Sequence, residues 1–245
     1  MQRTAAIIEA RMTSTRLPGK VLRTVVGKPL LELLIERLRQ AVTLDTIVVA
    51  TTTNATDDVI AELAERVGVG CYRGSEDDVL DRVLEAARSV SASTIVEVTG
   101  DCPLMDPQVV DRVVHTLYER GCDYASNILE RSFPRGMDVQ AFKTSVLERV
   151  AELTQDPVDH EHVSLYIYEH PELFSLASVV SELPARHADL RLTVDTVDDL
   201  SVISAVFEEL YPGNQSFGLR DIVDMADRQP DVFARNASVS QKPVR

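Results

Sequence analysis

The ten residues from Arg11 to Lys20, RMTSTRLPGK, gather three cations (Arg11, Arg16, Lys20), three hydroxyls (Thr13, Ser14, Thr15) and a Pro18-Gly19 turn. They follow the apolar run Ala5, Ala6, Ile7, Ile8 and precede an amphipathic helical segment. A strand, loop and helix in that order can offer backbone N–H groups and hydroxyls to phosphate oxygens while the cations neutralise their charge. Polyphosphate binding is therefore the chemistry to expect. The string is neither G-x-x-x-x-G-K-[ST] nor G-x-G-x-x-G, and a basic surface loop with incidental hydroxyls would have the same composition.

Two carboxylates further along could complement such a loop. Asp101, in TGDCPLMDP, follows the apolar run ending at Val98 and so falls at the C-terminal end of a strand, where ligands bind in open α/β sheets. Gly100 permits close backbone approach and Pro103 fixes the chain direction after it. Asp195, in LTVDTVDDL, reads equally as a helix N-cap, as does Thr196, with Asp198 and Asp199 favouring the helix dipole. In an acidic chain such carboxylates could hold a divalent cation, although most of the 39 acidic residues must simply be solvated. The segment Arg73 to Ala86, RGSEDDVLDRVLEA, has the pattern of a capped surface helix with i,i+4 charge pairs. In Phe133 to Asp138, FPRGMD, a glycine turn carries Arg135, whose guanidinium can pair bidentately with a carboxylate. His160 and His162, two residues apart, would point to different sides of a strand or helix and do not suggest a metal site.

These groups must be positioned by a βαβ rhythm. Thr4 to Glu9, Thr46 to Thr51 and Thr94 to Val98 read as buried strands. Helices are expected over Pro29 to Gln40, Asp57 to Val67, Val79 to Val90 and Gln108 to Arg120, each with an apolar stripe at helical spacing. From Tyr124 to Phe142 the pattern reads as strand, irregular loop and strand, followed by helices around Thr144 to Glu152 and Asp159 to Glu169. The last structured part is expected to run through Ala177 to Leu183, Leu190 to Val194 and a helix from Val197 to Leu210, with fraying beyond about Ala234.

A chain of 245 residues buries one sizeable core, so a single α/β domain over residues 1–235, with a flexible tail over 236–245, is expected. The net charge of −14 argues against a nucleic-acid or anionic-membrane surface, and makes the basic N-terminal loop stand out. Three cysteines without CxxC spacing suggest neither a disulfide framework nor a zinc ribbon, and with no leader-like or membrane-spanning segment the expected location is cytoplasmic.

As a whole string, EARMTSTRLPGKVL resembles the N-terminal signature of the sugar-activating cytidylyltransferases, the CMP-Kdo and CMP-sialate synthetases, and most of all the spore coat polysaccharide F-type proteins. CMP-sialate synthetases usually carry Gly where this chain has Thr13. The G-D-x-P turn at Asp101, V-D-T-x-[DE]-D-L at Asp195, and P-R-G-[LM]-D at Arg135 and Asp138 resemble further motifs of the family, and Asp159, Glu161 and His162 match its spore coat branch. The resemblance runs from about Ala5 to Ile203. It implies a mostly parallel, Rossmann-like nucleotide-diphospho-sugar transferase sheet with helices on both faces, and a small dimerising insertion over 127–170.

The same resemblance implies that Arg11, Thr13, Ser14, Arg16 and Lys20 contact nucleotide phosphates, with Arg73, Ser75, Asp81 and Arg82 near the nucleotide. Asp101 and Asp195 would hold magnesium, and Arg135 and Asp138 would meet the substrate. Arg11, Lys20 and Asp101 are then the catalytic candidates. Cys102 stands where the Kdo enzymes usually carry an acidic residue. The implied reaction transfers CMP from CTP to a small acidic sugar, with pyrophosphate released, in a homodimer. Alternatives on the same architecture are a glycosyltransferase or other nucleotide-sugar enzyme, whose usual D-x-D is not convincingly placed here, and a non-catalytic nucleotide-binding subunit.

Overall fold

The computed structural model describes residues 3–242. The apolar run after the N-terminus forms β1 (Thr4–Glu9), and beyond the basic loop a two-residue hairpin, β2 (Thr24–Val25) and β3 (Lys28–Pro29), leads into α1 (Leu30–Leu38). The chain continues through β4 (Thr46–Thr52), α2 (Asp58–Val67), β5 (Gly70–Gly74), α3 (Val79–Ser89), β6 (Thr94–Thr99) and α4 (Pro107–Arg120). Then come β7 (Tyr124–Ser126), β8 (Gln140–Lys143), α5 (Thr144–Leu153), α6 (Pro157–Glu161), α7 (Leu165–Glu169) and β9 (Leu176–Ser178). Three helices finish the fold: α8 (Val197–Leu210), α9 (Leu219–Arg228) and α10 (Pro230–Ala234).

The main sheet has seven strands in the order β5-β4-β1-β6-β8-β7-β9. Strands β5, β4, β1 and β6 are mutually parallel, and β8 runs antiparallel to both β6 and β7. Alternation along β1 divides the core. Ala5 and Ile7 pack on one face with residues of α3, α5 and α7, while Ala6 and Ile8 pack on the other with residues of α1, α2, α4, α8 and α9. Both faces are covered, which is why the parallel strands read as continuous apolar runs. No helix among the described residues is long and apolar enough to cross a membrane.

The connectivity steps outward from β1 to β4 to β5 and then returns to the other side of β1 with β6. The strand order thus reverses between β1 and β6, and a crevice opens at their C-terminal ends. The basic loop and Asp101 leave the sheet at those two ends.

Several elements differ from the expectation. Strand β5, GCYRG, sits at a sheet edge, half-buried and flanked by glycines, and has no apolar run to mark it. The helix expected over Asp159 to Glu169 is two short helices broken around Val163, whose φ is +32°. Leu190 to Val194 forms no strand and makes one isolated bridge, Arg191 with Arg135. Helix α9 continues the fold past Leu210 by burying Leu219, Ile222, Val223 and Met225. Region 127–170 supplies β8, which lies between β6 and β7 in the main sheet. The chain past Ala234 is anchored by buried Asn236, whose Nδ2 donates to Arg191 O (3.0 Å) and Asp199 Oδ1 (2.9 Å). Residues 243–245 of the expected tail lie outside the described residues.

Candidate active site

The basic loop is held from below and closed at its end. Met12 N donates to Oδ1 of the fully buried Asp57 (2.8 Å), and Gly19 N donates to Met12 O (2.9 Å). Gly19 sits in the left-handed region at φ +68°, where glycine is unstrained. This closure starts a short helical turn at Lys20 and directs Lys20 into the crevice, while Ser14, Thr15 and Arg16 line it.

Asp101 and Asp195, 94 positions apart in sequence, meet at the Lys20 ammonium. Lys20 Nζ lies 2.6 Å from Asp101 Oδ2 and 2.8 Å from Asp195 Oδ1, and Arg16 Nη2 lies 2.9 Å from the same Asp195 oxygen. The backbone enforces the meeting, because Val194 N donates to Asp101 O (2.8 Å) and Thr193 Oγ1 donates to it as well (3.2 Å). Gly100 brings β6 close to β1: a Cβ there would stand 2.9 Å from Glu9 O. Gly136, at φ +97°, does the same for the FPRGMD turn, where a Cβ would fall 2.4 Å from the carbonyl of Leu192.

Asp195 is not the cap of α8. Thr196 is the N-cap of α8, in a capping box with Asp199, which leaves the Asp195 side chain to face the cations. Arg191 is the hub beneath it, donating from Nη2 to Asp195 Oδ2 (2.7 Å), from Nε to Asp199 Oδ1 (2.8 Å) and from Nη1 to Gln241 Oε1 (2.8 Å). Burial pushes the Asp195 carboxyl up, but Lys20, Arg16 and Arg191 outweigh it and hold the group below its ordinary 3.8. Burial likewise pulls Lys20 down, and Asp101 and Asp195 outweigh it, so the ammonium stays charged above its ordinary 10.5.

The crevice is a cavity of about 580 Å³. Its lining includes the basic loop and the two carboxylates, together with Arg131, Arg135 and Asp138, Glu161 and His162 from the α6 end, and Ser164 and Tyr168. Glu9, Glu97 and Gln140 form its floor on the adjacent strands β1, β6 and β8. Arg131 Nη1 pairs with Asp138 Oδ1. Asp78, the N-cap of α3, receives His160 Nδ1 at 2.8 Å, so His160 ties α6 to α3.

Of the residues singled out in the sequence, Arg11, Ser14, Arg16, Lys20, Arg82, Asp101, Arg135, Asp138 and Asp195 line this cavity. Three do not. Thr13 turns outward and donates to Glu76 Oε1 (2.7 Å). Arg73 is committed beneath the end of β4, donating to Thr52 O and Asn54 O (both 2.8 Å) and pairing with Asp58 (2.7 Å). Asp81 is exposed on the first turn of α3. Arg82 is buried, with Nη1 donating to Ser75 O and Glu76 O, so it shapes the wall. Cys102 is buried beneath Asp101, where burial pushes its thiol well above the ordinary range.

The sequence reading passed over Glu9, Glu97, Gln140, Arg131 and Arg191. For the first two a signal existed: each is a carboxylate inside or ending an apolar strand (TAAIIE, TIVEVT), where a solvated charge has no place.

Cations and paired carboxylates in the crevice of a reversed parallel sheet belong with nucleotide phosphate chemistry, and the protein is a nucleotidyltransferase. The cytidylyltransferase family model matches residues 5–211, and the chain belongs to that family. It is 32% identical over 230 residues to the spore coat polysaccharide biosynthesis protein SpsF of Bacillus subtilis, covering 92% of this chain and 94% of that protein. It is 28% identical over 235 residues to the 3-deoxy-manno-octulosonate cytidylyltransferase of Geobacter metallireducens, covering 84% and 91%. Among solved structures, a cytidylyltransferase from Leptospira borgpetersenii superposes with a TM-score of 0.90 at 31% identity, covering 98% of this chain and all of that one.

Proposed function

We propose that the chain is a magnesium-dependent cytidylyltransferase that transfers CMP from CTP to an acidic sugar of Kdo or nonulosonate type in surface polysaccharide biosynthesis. The observation that carries this reading is the convergence of Lys20, Asp101 and Asp195 with Arg16 at the strand-order reversal. Asp101 and Asp195 already converge on one cation, the Lys20 ammonium, and a pair of hard carboxylate oxygens suits magnesium with phosphate oxygens completing its shell. Magnesium bound there would supply charge neutralisation to the triphosphate.

An acceptor hydroxyl oxygen attacks the α-phosphorus, the bond from that phosphorus to the oxygen bridging to the β-phosphate breaks, and pyrophosphate leaves while the hydroxyl proton passes to solvent. Protein groups contribute by position and charge. Arg11, Ser14 and Arg16 hold the phosphates, and Lys20 swings from the carboxylates to the oxygens on which charge develops. Asp101 and Asp195 would hold the metal. Arg135, with Arg131 and Asp138 beside it, meets the acceptor's acidic group.

The test is pyrophosphate release from CTP with a panel of acidic sugars. Release that needs both sugar and magnesium, and that falls on the order of 10²-fold in Lys20→Ala, supports the reading. CTP binding without release for any acidic sugar would favour a non-catalytic nucleotide-binding role. The working form is a cytoplasmic homodimer built through region 127–170, which a monomer in light scattering across working concentrations would refute.

A further inference from the structure

The floor of the cavity carries two carboxyl groups that the transfer reaction does not use. Ala5 and Ile7 on β1 and Ile95 on β6 pack into the layer of α3 and α5, and Glu9 and Glu97 continue those two rows toward the crevice. Both line the cavity, and Glu97 is only 6% exposed. Glu97 Oε2 and Glu9 Oε1 are buried without a hydrogen-bond donor. The nearby cation, Arg82, directs Nη1 to the Ser75 and Glu76 carbonyls, and its charge offsets only part of the burial of Glu9 without its buried Nε bonding either carboxyl. A carboxylate in a central strand is tolerated when a partner satisfies it, and a buried unsatisfied one points to a ligand. Burial pushes the Glu9 carboxyl up to about 7 and Glu97 well above the usual carboxylate range.

We propose that Glu9 and Glu97 form an ammonium-binding floor, so that the acceptor carries a primary amino group as well as its acidic group. The assignment rests on the transferase reading for placing the acceptor in this cavity. Arg131 and Arg135 line the same cavity, giving it guanidinium as well as carboxyl oxygen. A ligand complementary to both is zwitterionic. An ammonium offers three donors and a positive charge, enough to reach both oxygens and stabilise the pair in its ionised form. A hydroxyl offers one donor and no charge.

The experiment measures binding of two matched pairs to the intact protein by calorimetry, with and without CTP: 2-amino-2-deoxyglucuronate against its N-acetyl form, and glucosamine 6-phosphate against its N-acetyl form. The wild type should bind the free amines at least about tenfold more tightly than the amides. In Glu97→Gln, and separately in Glu9→Gln, that preference should fall to roughly twofold or less, while either variant still melts cooperatively. Equal binding within each pair, no binding of either amine, or a preference that persists in both variants would overturn the assignment. The CTP melting shift is recorded in parallel. A CTP shift without amine preference overturns the floor and leaves the transferase standing; amine preference without a CTP shift supports the floor and contradicts the transferase.

Discussion

Lys20→Met separates the two roles that the geometry gives to one ammonium. Nζ donates to Asp101 Oδ2 at 2.6 Å and to Asp195 Oδ1 at 2.8 Å, with the lysine side chain only 11% exposed. A charge-assisted hydrogen bond in such a setting contributes about 1.5–3 kcal/mol. A divalent cation entering between the carboxylates must displace at least one of these bonds, a competition of roughly 10- to 100-fold in apparent affinity. Methionine keeps the length of the stem and removes the charge, while Arg16 and Arg191 still face Asp195. Titration calorimetry with magnesium alone should therefore show the variant binding about tenfold more tightly than the wild type. CTP turnover should move the other way, falling on the order of 10²-fold, because the donor to the developing charge is gone. A folded Lys20→Met protein whose magnesium affinity is unchanged or weaker would refute the idea that Lys20 competes with the metal for the two carboxylates.

Gly136→Ala should destabilise the fold by about 3 kcal/mol or more, because its φ of +97° and the Leu192 carbonyl 2.4 Å from the new Cβ threaten the Arg135-Leu192 hydrogen bond; an unchanged urea midpoint would contradict this. Arg191→Met leaves the fully buried Asp199 and the nearby Asp195 without their shared cation, and should cost about 3–5 kcal/mol in denaturant unfolding. The carboxyl pair on the floor sets a pH dependence. A carboxyl raised in the folded state binds more protons there than in the unfolded chain, so its contribution is fully present below the unfolded value of 4.5 and is lost as pH rises through about 7. Glu97→Gln should therefore be more stable than wild type at pH 8, with the difference shrinking toward pH 4.5. A difference in melting temperature that does not vary with pH would contradict the raised carboxyl pair.

Much of the architecture is legible in local pattern. Strands β1, β4 and β6 are apolar runs of strand length, and α1 to α4 carry helical stripes, because parallel strands buried on both faces and helices covering them leave that signature. Strand β5 escapes because an edge strand half-exposed between glycines has no apolar run to reveal it. Helix α9 was passed over although Leu219, Ile222, Val223 and Ala226 hold helical spacing, since they follow the turn-rich stretch YPGNQSFG. In the site, the basic loop and two distant carboxylates could be picked out, but their meeting depends on backbone bonds such as Val194 N to Asp101 O, which no local pattern encodes. Arg191 is invisible for the same reason: its role arises from three contacts that only the folded chain brings together. Arg73 shows the converse, a cation in a matching string that the fold commits to the carbonyls at the end of β4.

The most direct test is the shift in melting temperature produced by CTP, UTP, ATP and GTP, each with and without magnesium. A ligand at ~100 times its Kd adds roughly 2.7 kcal/mol to the folded state. A shift selective for CTP, strengthened by magnesium and lost in Asp101→Asn, is the predicted result. Equal shifts with all four nucleotides, or none with any, would contradict a CTP site built on Arg16, Lys20, Asp101 and Asp195.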